Sequence, residues 1–116
     1  MTAFLLVAVG GALGAVVRYV LVTHWSARFP WSILVANLAG SFGLGVLLGS
    51  AIPGLLLFAG VGFCGALTTF STFALDTLVL VREGRVAASA GNVAASLAGS
   101  VIAVIAGMAL VGAMDL

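Results

Sequence analysis

The sequence predicts an all-α integral membrane protein with four transmembrane helices and a break in the third. Three observations lead there. Hydrophobic residues make up 64% of the 116-residue chain and charged residues 6%, and the mean hydropathy is +1.39. A soluble domain of this size would not stay in solution with that composition. One membrane crossing takes about 20 apolar residues, so the chain has room for four and little else. Finally, GFCGALTTFSTF at residues 62–73 sets glycines and hydroxyls in the middle of an apolar run.

Span one is expected at residues 3–22, followed by a polar connector with His24, Trp25, Ser26, Arg28 and Pro30. The N-terminus has no positive segment, so this span is expected to be retained rather than cleaved as a leader. Span two follows at 31–50, with Tyr19, Trp25 and Trp31 suited to the headgroup belt. Pro53 and Gly54 turn the chain into span three, at 54–81. Arg82, Glu83, Gly84 and Arg85 link it to span four at 86–112, and Met114, Asp115 and Leu116 form a tail. No extramembrane domain is expected, and the whole of 1–116 reads as one membrane domain with both termini on one side. Arg28, Arg82 and Arg85 lie opposite the termini, which favours outside termini. With only three residues behind the bias, either insertion in both orientations or pairing with an oppositely inserted partner is open.

In hydrocarbon every backbone N–H and C=O needs an internal partner, so a helix is interrupted only where protein or a water-filled cavity surrounds it. Discontinuous helices of transporters use half-helix N-termini and freed carbonyls to hold ions. The run at 62–73 therefore points to ion handling. Thr68 or Thr69 is placed to cap the resumed helix. Phe70 and Phe73, three apart, share a helix face, where they serve either as packing or as ring edges offered to an anion.

Span four carries Asn92, Ser96 and Ser100 at every fourth position, a polar stripe that faces another helix or a watery path. Span two carries Asn37 and Ser41; the Asn37 amide can replace water around an anion, and Ser41 is expected to bond back to its own helix. Arg18 either snorkels to headgroups or faces the bundle interior. Asp76 is the only carboxylate expected within a span, free to pair with an arginine or cap a helix, while His24 and Glu83 are expected to be solvated. Small-residue pairs at Gly10 and Gly14, Gly45 and Gly49, and Ala95 and Gly99 are candidates for contact between chains, although such spacings also arise by chance among sixteen glycines. Cys64 is the single cysteine, so no intrachain disulfide forms. No nucleophile with its base, phosphate loop or metal-ligand spacing can be assembled, so the chain is not expected to be an enzyme. No nucleic-acid partner is expected.

Four motifs, GGALGAVVRY at 10–19, LVANLAGSF at 34–42, GFCGALTTFSTF at 62–73 and NVAASLAGS at 92–100, resemble the CrcB/Fluc family of fluoride channels in all four spans and in order. The resemblance implies a dual-topology homodimer of antiparallel four-helix subunits in the cell membrane. Its two pores would release fluoride passively, after HF has entered and dissociated in the cytoplasm. It assigns Phe70 and Phe73 to the pore as ring edges and Asn37 as an amide donor, with Thr72 and Ser100 as hydroxyls and Ser96 on the same polar stripe. Arg18 is assigned to an aqueous vestibule. It further implies a structural sodium ion at the dimer centre, held by the backbone carbonyls of Gly65 and Thr68 from both subunits. Ala66 departs from the second glycine common in relatives. A heterodimer with an oppositely oriented paralogue is the alternative assembly.

Two other readings compete. A small multidrug exporter is also a four-span protein, but it needs a membrane-embedded carboxylate to exchange protons for a cationic drug, and span one has no Asp or Glu. A noncatalytic assembly subunit would use its glycine faces to bind another membrane protein.

Overall fold

The computed structural model describes residues 1–114, and the tail residues Asp115 and Leu116 lie outside the described residues. The described residues form helices and connectors only. Helix α1 spans Thr2–His24 and α2 spans Trp31–Ser50. The third crossing, Pro53–Arg82, is assembled from pieces: α3 (Pro53–Leu55), a nine-residue π-helix (Leu56–Cys64), α4 (Gly65–Leu67) and α5 (Phe70–Arg82). The last is α6, Val86–Ala113. Four crossings are long and apolar enough to span a membrane, and the chain is a multi-pass membrane protein.

Local chemistry sets the ends of these helices. Helix α1 stops where Trp25 turns extended (φ −129°, ψ 92°). The next helix starts directly after Pro30, a residue that supplies no N–H and suits a helix entry. It ends on Ala51 in the left-handed region (φ 55°), whose N–H caps the Leu47 carbonyl. That conformation costs an L-residue about 1–2 kcal/mol. Gly84, at φ +75°, takes the same region without that cost in the turn between α5 and α6. The two polar connectors lie at the same end of the bundle, where the Arg85 guanidinium donates to the Arg28 carbonyl.

Helix α2 forms its broadest contact with α6, and α1 packs chiefly on the π-helix. Both contacts bring backbones together. A Cβ added at Gly45 would overlap the Val104 carbonyl, and one at Gly107 would meet Phe42 and Val46 backbone. Across the other contact, a Cβ at Gly10 would strike the Phe58 carbonyl and one at Gly14 the Phe63 carbonyl. Gly49 meets Val111, and Gly99 meets Leu38. Gly10, Gly14, Gly45, Gly49 and Gly99 are thus used in packing within one chain, whereas Ala95 is exposed. Packing in lipid has no hydrophobic drive, so close van der Waals approach has to hold these helices together.

The apolar outer faces, including Phe4, Val9 and Val16 of α1 and Ile102 and Ile105 of α6, are exposed in the isolated chain. Lipid tails solvate such faces as well as another leucine would. The buried apolar set is small, with Ile33, Leu34, Ala36, Cys64, Leu67, Leu80 and Val111.

The tight α2–α6 crossing predicts that Gly45→Val lowers stability by roughly 1–3 kcal/mol or more through overpacking. In contrast, Gly91→Ala, whose Cβ meets nothing within 4 Å, should stabilise α6 by up to ~1 kcal/mol. Thermal unfolding midpoints in detergent check both.

Candidate functional site

The site is built around two residues that are not helical. Thr68 (φ −81°, ψ 152°) and Thr69 (φ −149°, ψ 128°) are extended between α4 and α5. The Thr68 N–H still donates to the Cys64 carbonyl at 3.1 Å, whereas the backbone groups of Thr69 are reassigned to a side chain. The Thr69 N–H, which in a continuous helix would serve the Gly65 carbonyl, donates to Asn37 Oδ1 at 2.8 Å. Asn37 Nδ2 returns a bond to the Thr69 carbonyl at 3.1 Å. The side-chain amide thus grips Thr69 as a neighbouring strand would. Of the two threonines placed to cap α5, Thr69 does so, accepting from the Thr72 N–H at 3.3 Å. Its Oγ1 also donates to Thr72 Oγ1 at 3.4 Å and lies 3.3 Å from Ser71 Oγ. Thr68 instead closes α4, donating to the Cys64 carbonyl at 3.1 Å and to the Gly65 carbonyl at 3.3 Å.

One consequence concerns the carbonyls. The N–H groups four residues ahead of Gly65 and Thr68 belong to Thr69 and Thr72, and both donate to side-chain oxygens. The Gly65 and Thr68 carbonyls are therefore released from the helical ladder. Gly65 is also exposed, and a Cβ built there would find only the Gly60 carbonyl, at 3.8 Å. Ala66 sits inside the helical turn of α4, where an added methyl demands no special backbone.

Beside the extended pair lies a cavity of about 650 Å³ lined by Asn37, Ser41, Phe70, Phe73, Ser96 and Ser100, together with Gly65, Thr68 and Thr69. Five helical pieces of the chain meet here, and no charged residue lines it. The Phe70 and Phe73 rings stand edge to face, with centroids 5.9 Å apart and planes at 60°. Phe70 is 70% exposed. Ser96 Oγ is buried and has no hydrogen-bond partner, a donor and acceptor left open against the cavity. Such a group costs about 1–3 kcal/mol unless something binds it.

Thr72 stands apart from this group. It lines a second cavity, about 700 Å³, at the connector end, with Asp76, Glu83, Arg28 and Ser32. The Thr69–Thr72 contact links the walls of the two cavities. Arg18 is half-buried on α1, one turn before Val22, the α1 residue that lines the connector-end cavity. Asp76, with neither pairing nor capping settled from the sequence, is part of that same wall.

The polar stripe of α6 divides. Ser96 and Ser100 face the mid-membrane cavity, whereas Asn92 turns to α5 and donates to Thr77 Oγ1 at 3.0 Å. Ser41, expected to bond back within α2, is on the cavity wall; the residue of α2 that does bond back is Ser50, to the Val46 carbonyl.

Comparison with known proteins places this geometry. The family described as "CrcB-like protein, Camphor Resistance (CrcB)" matches residues 5–108. The chain belongs to this family. A relative from Rhodospirillum centenum, named fluoride-specific ion channel FluC, is 43% identical, and the match covers 96% of each chain. FluC 1 of Nocardia farcinica is 48% identical over 90% of this chain and 78% of its own. FluC of Nitrobacter winogradskyi is 41% identical over 95% of each.

In this CrcB-like chain two residues that bond α5 to α6, Thr77 and Ser89, were not singled out from the sequence. Ser89 precedes Asn92 by three residues, so the helical repeat does place it on the same face. Thr77 lies outside the hydroxyl cluster of 68–72, and nothing in its spacing marks it. The π-helix was also missed, because its composition, LLFAGVGFC, is that of any apolar helix.

The grip of Asn37 on Thr69 predicts that Asn37→Leu, similar in size, strands a backbone N–H and C=O. The expected loss is about 2 kcal/mol or more of stability, with faster hydrogen exchange at the Thr69 amide. Denaturation in detergent and amide exchange by mass spectrometry check it.

Proposed function

We propose that this chain is a fluoride-selective channel of the plasma membrane that lets fluoride leave the cytoplasm passively and so relieves its toxicity. The observation that carries the reading is the mid-membrane cavity. Its polar lining is uncharged and includes Asn37, Ser96 and Ser100, set beside two phenylalanine edges. Rings of carboxylates recruit cations, and no carboxylate lines this cavity. Hydroxyls, an amide N–H and positive ring edges favour a small anion, without a fixed positive charge that would trap it. The curated relatives, matched over most of their length, are named fluoride-specific ion channels. Those names describe a transport protein, in keeping with a chain that is not an enzyme.

The residue roles follow. Asn37 has one Nδ2 hydrogen committed to Thr69 and a second left for the ion. Phe70 and Phe73 offer ring edges, and Ser96 and Ser100 offer hydroxyls. Thr72 continues the hydroxyl track through Thr69 to the connector-end cavity, and Arg18 draws anions toward that mouth. The extended residues Thr68 and Thr69 act as the functional break of the third crossing.

The working unit in this proposal is an antiparallel, dual-topology dimer, either of two identical chains or with an oppositely oriented paralogue. Exposure of Gly65 and Phe70 in the isolated chain supports it, since both belong to the candidate site. A sodium ion at the dimer centre fits the carbonyls of Gly65 and Thr68, whose helical donors have been diverted. Carbonyl oxygens suit a hard cation, whose charge offsets the cost of nearby anions.

Liposomes containing only the purified protein should lose fluoride rapidly and retain chloride. Replacing either Phe70 or Phe73 by isoleucine should preserve folding and cut fluoride efflux at least about tenfold, the loss of roughly one aromatic contact. Unchanged efflux in both variants removes the rings from the pathway. Preparing the protein with N-methylglucamine in place of sodium should lower its unfolding temperature, and restoring sodium should recover it. Equal midpoints in the two salts would refute the sodium site.

A further inference from the structure

Helix α5 carries Phe70, Thr72 and Phe73, yet it follows two extended residues that could act as a hinge. Its N-terminus is held by Asn37 through Thr69. A second attachment lies eight residues further, at Thr77. Thr77 Oγ1 donates to the Phe73 carbonyl at 2.8 Å and accepts from Asn92 Nδ2 at 3.0 Å. The Thr77 carbonyl accepts from Ser89 Oγ at 2.9 Å. Ser89 and Asn92 stand three apart on α6 and are 5% and 2% exposed. One threonine therefore joins α6, by two bonds, to the turn of α5 that ends in Phe73.

We propose that the Ser89–Thr77–Asn92 junction positions α5 against α6, fixing the Phe73 ring opposite Ser96 and Ser100 and so setting how strictly the site discriminates among anions. Three features of the junction favour positioning over general adhesion. First, the bond to the Phe73 carbonyl is made by the hydroxyl that receives Asn92, so a shift of α6 acts directly on the Phe73 turn. Second, hydroxyl–amide chains polarise one another in a low-dielectric setting, and loss of any member weakens the others. Third, the two attachments of α5 arise from different helices, α2 at its start and α6 in its middle. Removing the second leaves the middle of α5, between the Asn37 grip at its start and the Gly84 turn at its end, without a hydrogen bond to α6. Thr77, Ser89 and Asn92 are thus positioning residues and need not touch the ion.

The discrimination arm rests on the fluoride-channel reading; the positioning arm does not. In the first experiment, 4-fluorophenylalanine is placed at position 73 and its fluorine resonance recorded in micelles, with a second sample labelled at the lipid-facing Phe4. Thr77→Val should shift or broaden the signal at 73 and leave that at 4 unchanged. Thr77→Ser, which keeps the hydroxyl, should restore the native signal. In the second, fluoride and chloride efflux are measured from liposomes of the unlabelled proteins. Thr77→Val and Asn92→Leu should each reduce the fluoride-to-chloride rate ratio about tenfold, and the double variant should be no worse than the more affected single, since both remove the same bond. Ser89→Ala, which leaves the hydroxyl pair intact, serves in both assays if Thr77→Val does not yield folded protein.

A native resonance at 73 in folded Thr77→Val or Ser89→Ala would overturn the positioning role. A displaced resonance with an unchanged rate ratio would overturn the link to discrimination. If wild-type liposomes retain fluoride, the channel reading fails on its own, and the resonance still decides whether the junction positions Phe73.

Discussion

The side-chain amide of Asn37 bonds both the N–H and the C=O of Thr69, and the third crossing depends on that pairing. Two extended residues in a membrane would ordinarily leave peptide groups without partners, at a cost of several kcal/mol each. Asparagine is one of the few side chains that can supply a donor and an acceptor in peptide-like geometry. By meeting the cost from outside the helix, it lets the chain stop, release two carbonyls and restart with Thr69 as its own cap. The cavity, the ring pair and the junction at Thr77 all follow from where α5 is forced to begin.

The bundle around this point is held together by contact rather than by exclusion of water. Glycine brings α2 against α6 and α1 against the π-helix, backbone upon backbone. The few interhelical hydrogen bonds concentrate on α5. This division makes physical sense. Helices that only need to pack can rely on dispersion, whereas the half-helix after an interruption needs directional bonds to fix its rotation and height.

Much of the architecture was legible because hydrocarbon imposes a simple rule. Apolar runs of membrane length became the four crossings, and the polar connectors became the links between them. Asn37, Ser96 and Ser100 could be named from polarity misplaced in an apolar setting, whereas Phe70 and Phe73 were assigned by the family resemblance; all five share one cavity. Thr72 was grouped with them by the family resemblance, but it lines the other cavity. The glycine pairs offered as candidates for contact between chains pack within this one, since spacing reveals that two helices approach closely without revealing whose helices they are. Asn92 shared a stripe with Ser96 and Ser100, but it lies at the height of Thr77 and, with Ser89, bonds to it.

The π-helix at Leu56–Cys64 affects how this protein should be engineered. Its hydrogen bonds close on the fifth residue back, as from the Gly65 N–H to the Gly60 carbonyl, so each turn holds more residues than in an α-helix. Over nine residues that difference accumulates. A helical wheel drawn with the ordinary 3.6-residue repeat from Pro53 onward would assign Phe63 and Cys64 to the wrong sides of the helix. Cross-linking pairs, spin labels or lipid-facing substitutions chosen from such a wheel would land in the interior. Numbering faces afresh from Gly65 avoids that error, and it makes the segment before Thr68 behave as a different screw from the one after it.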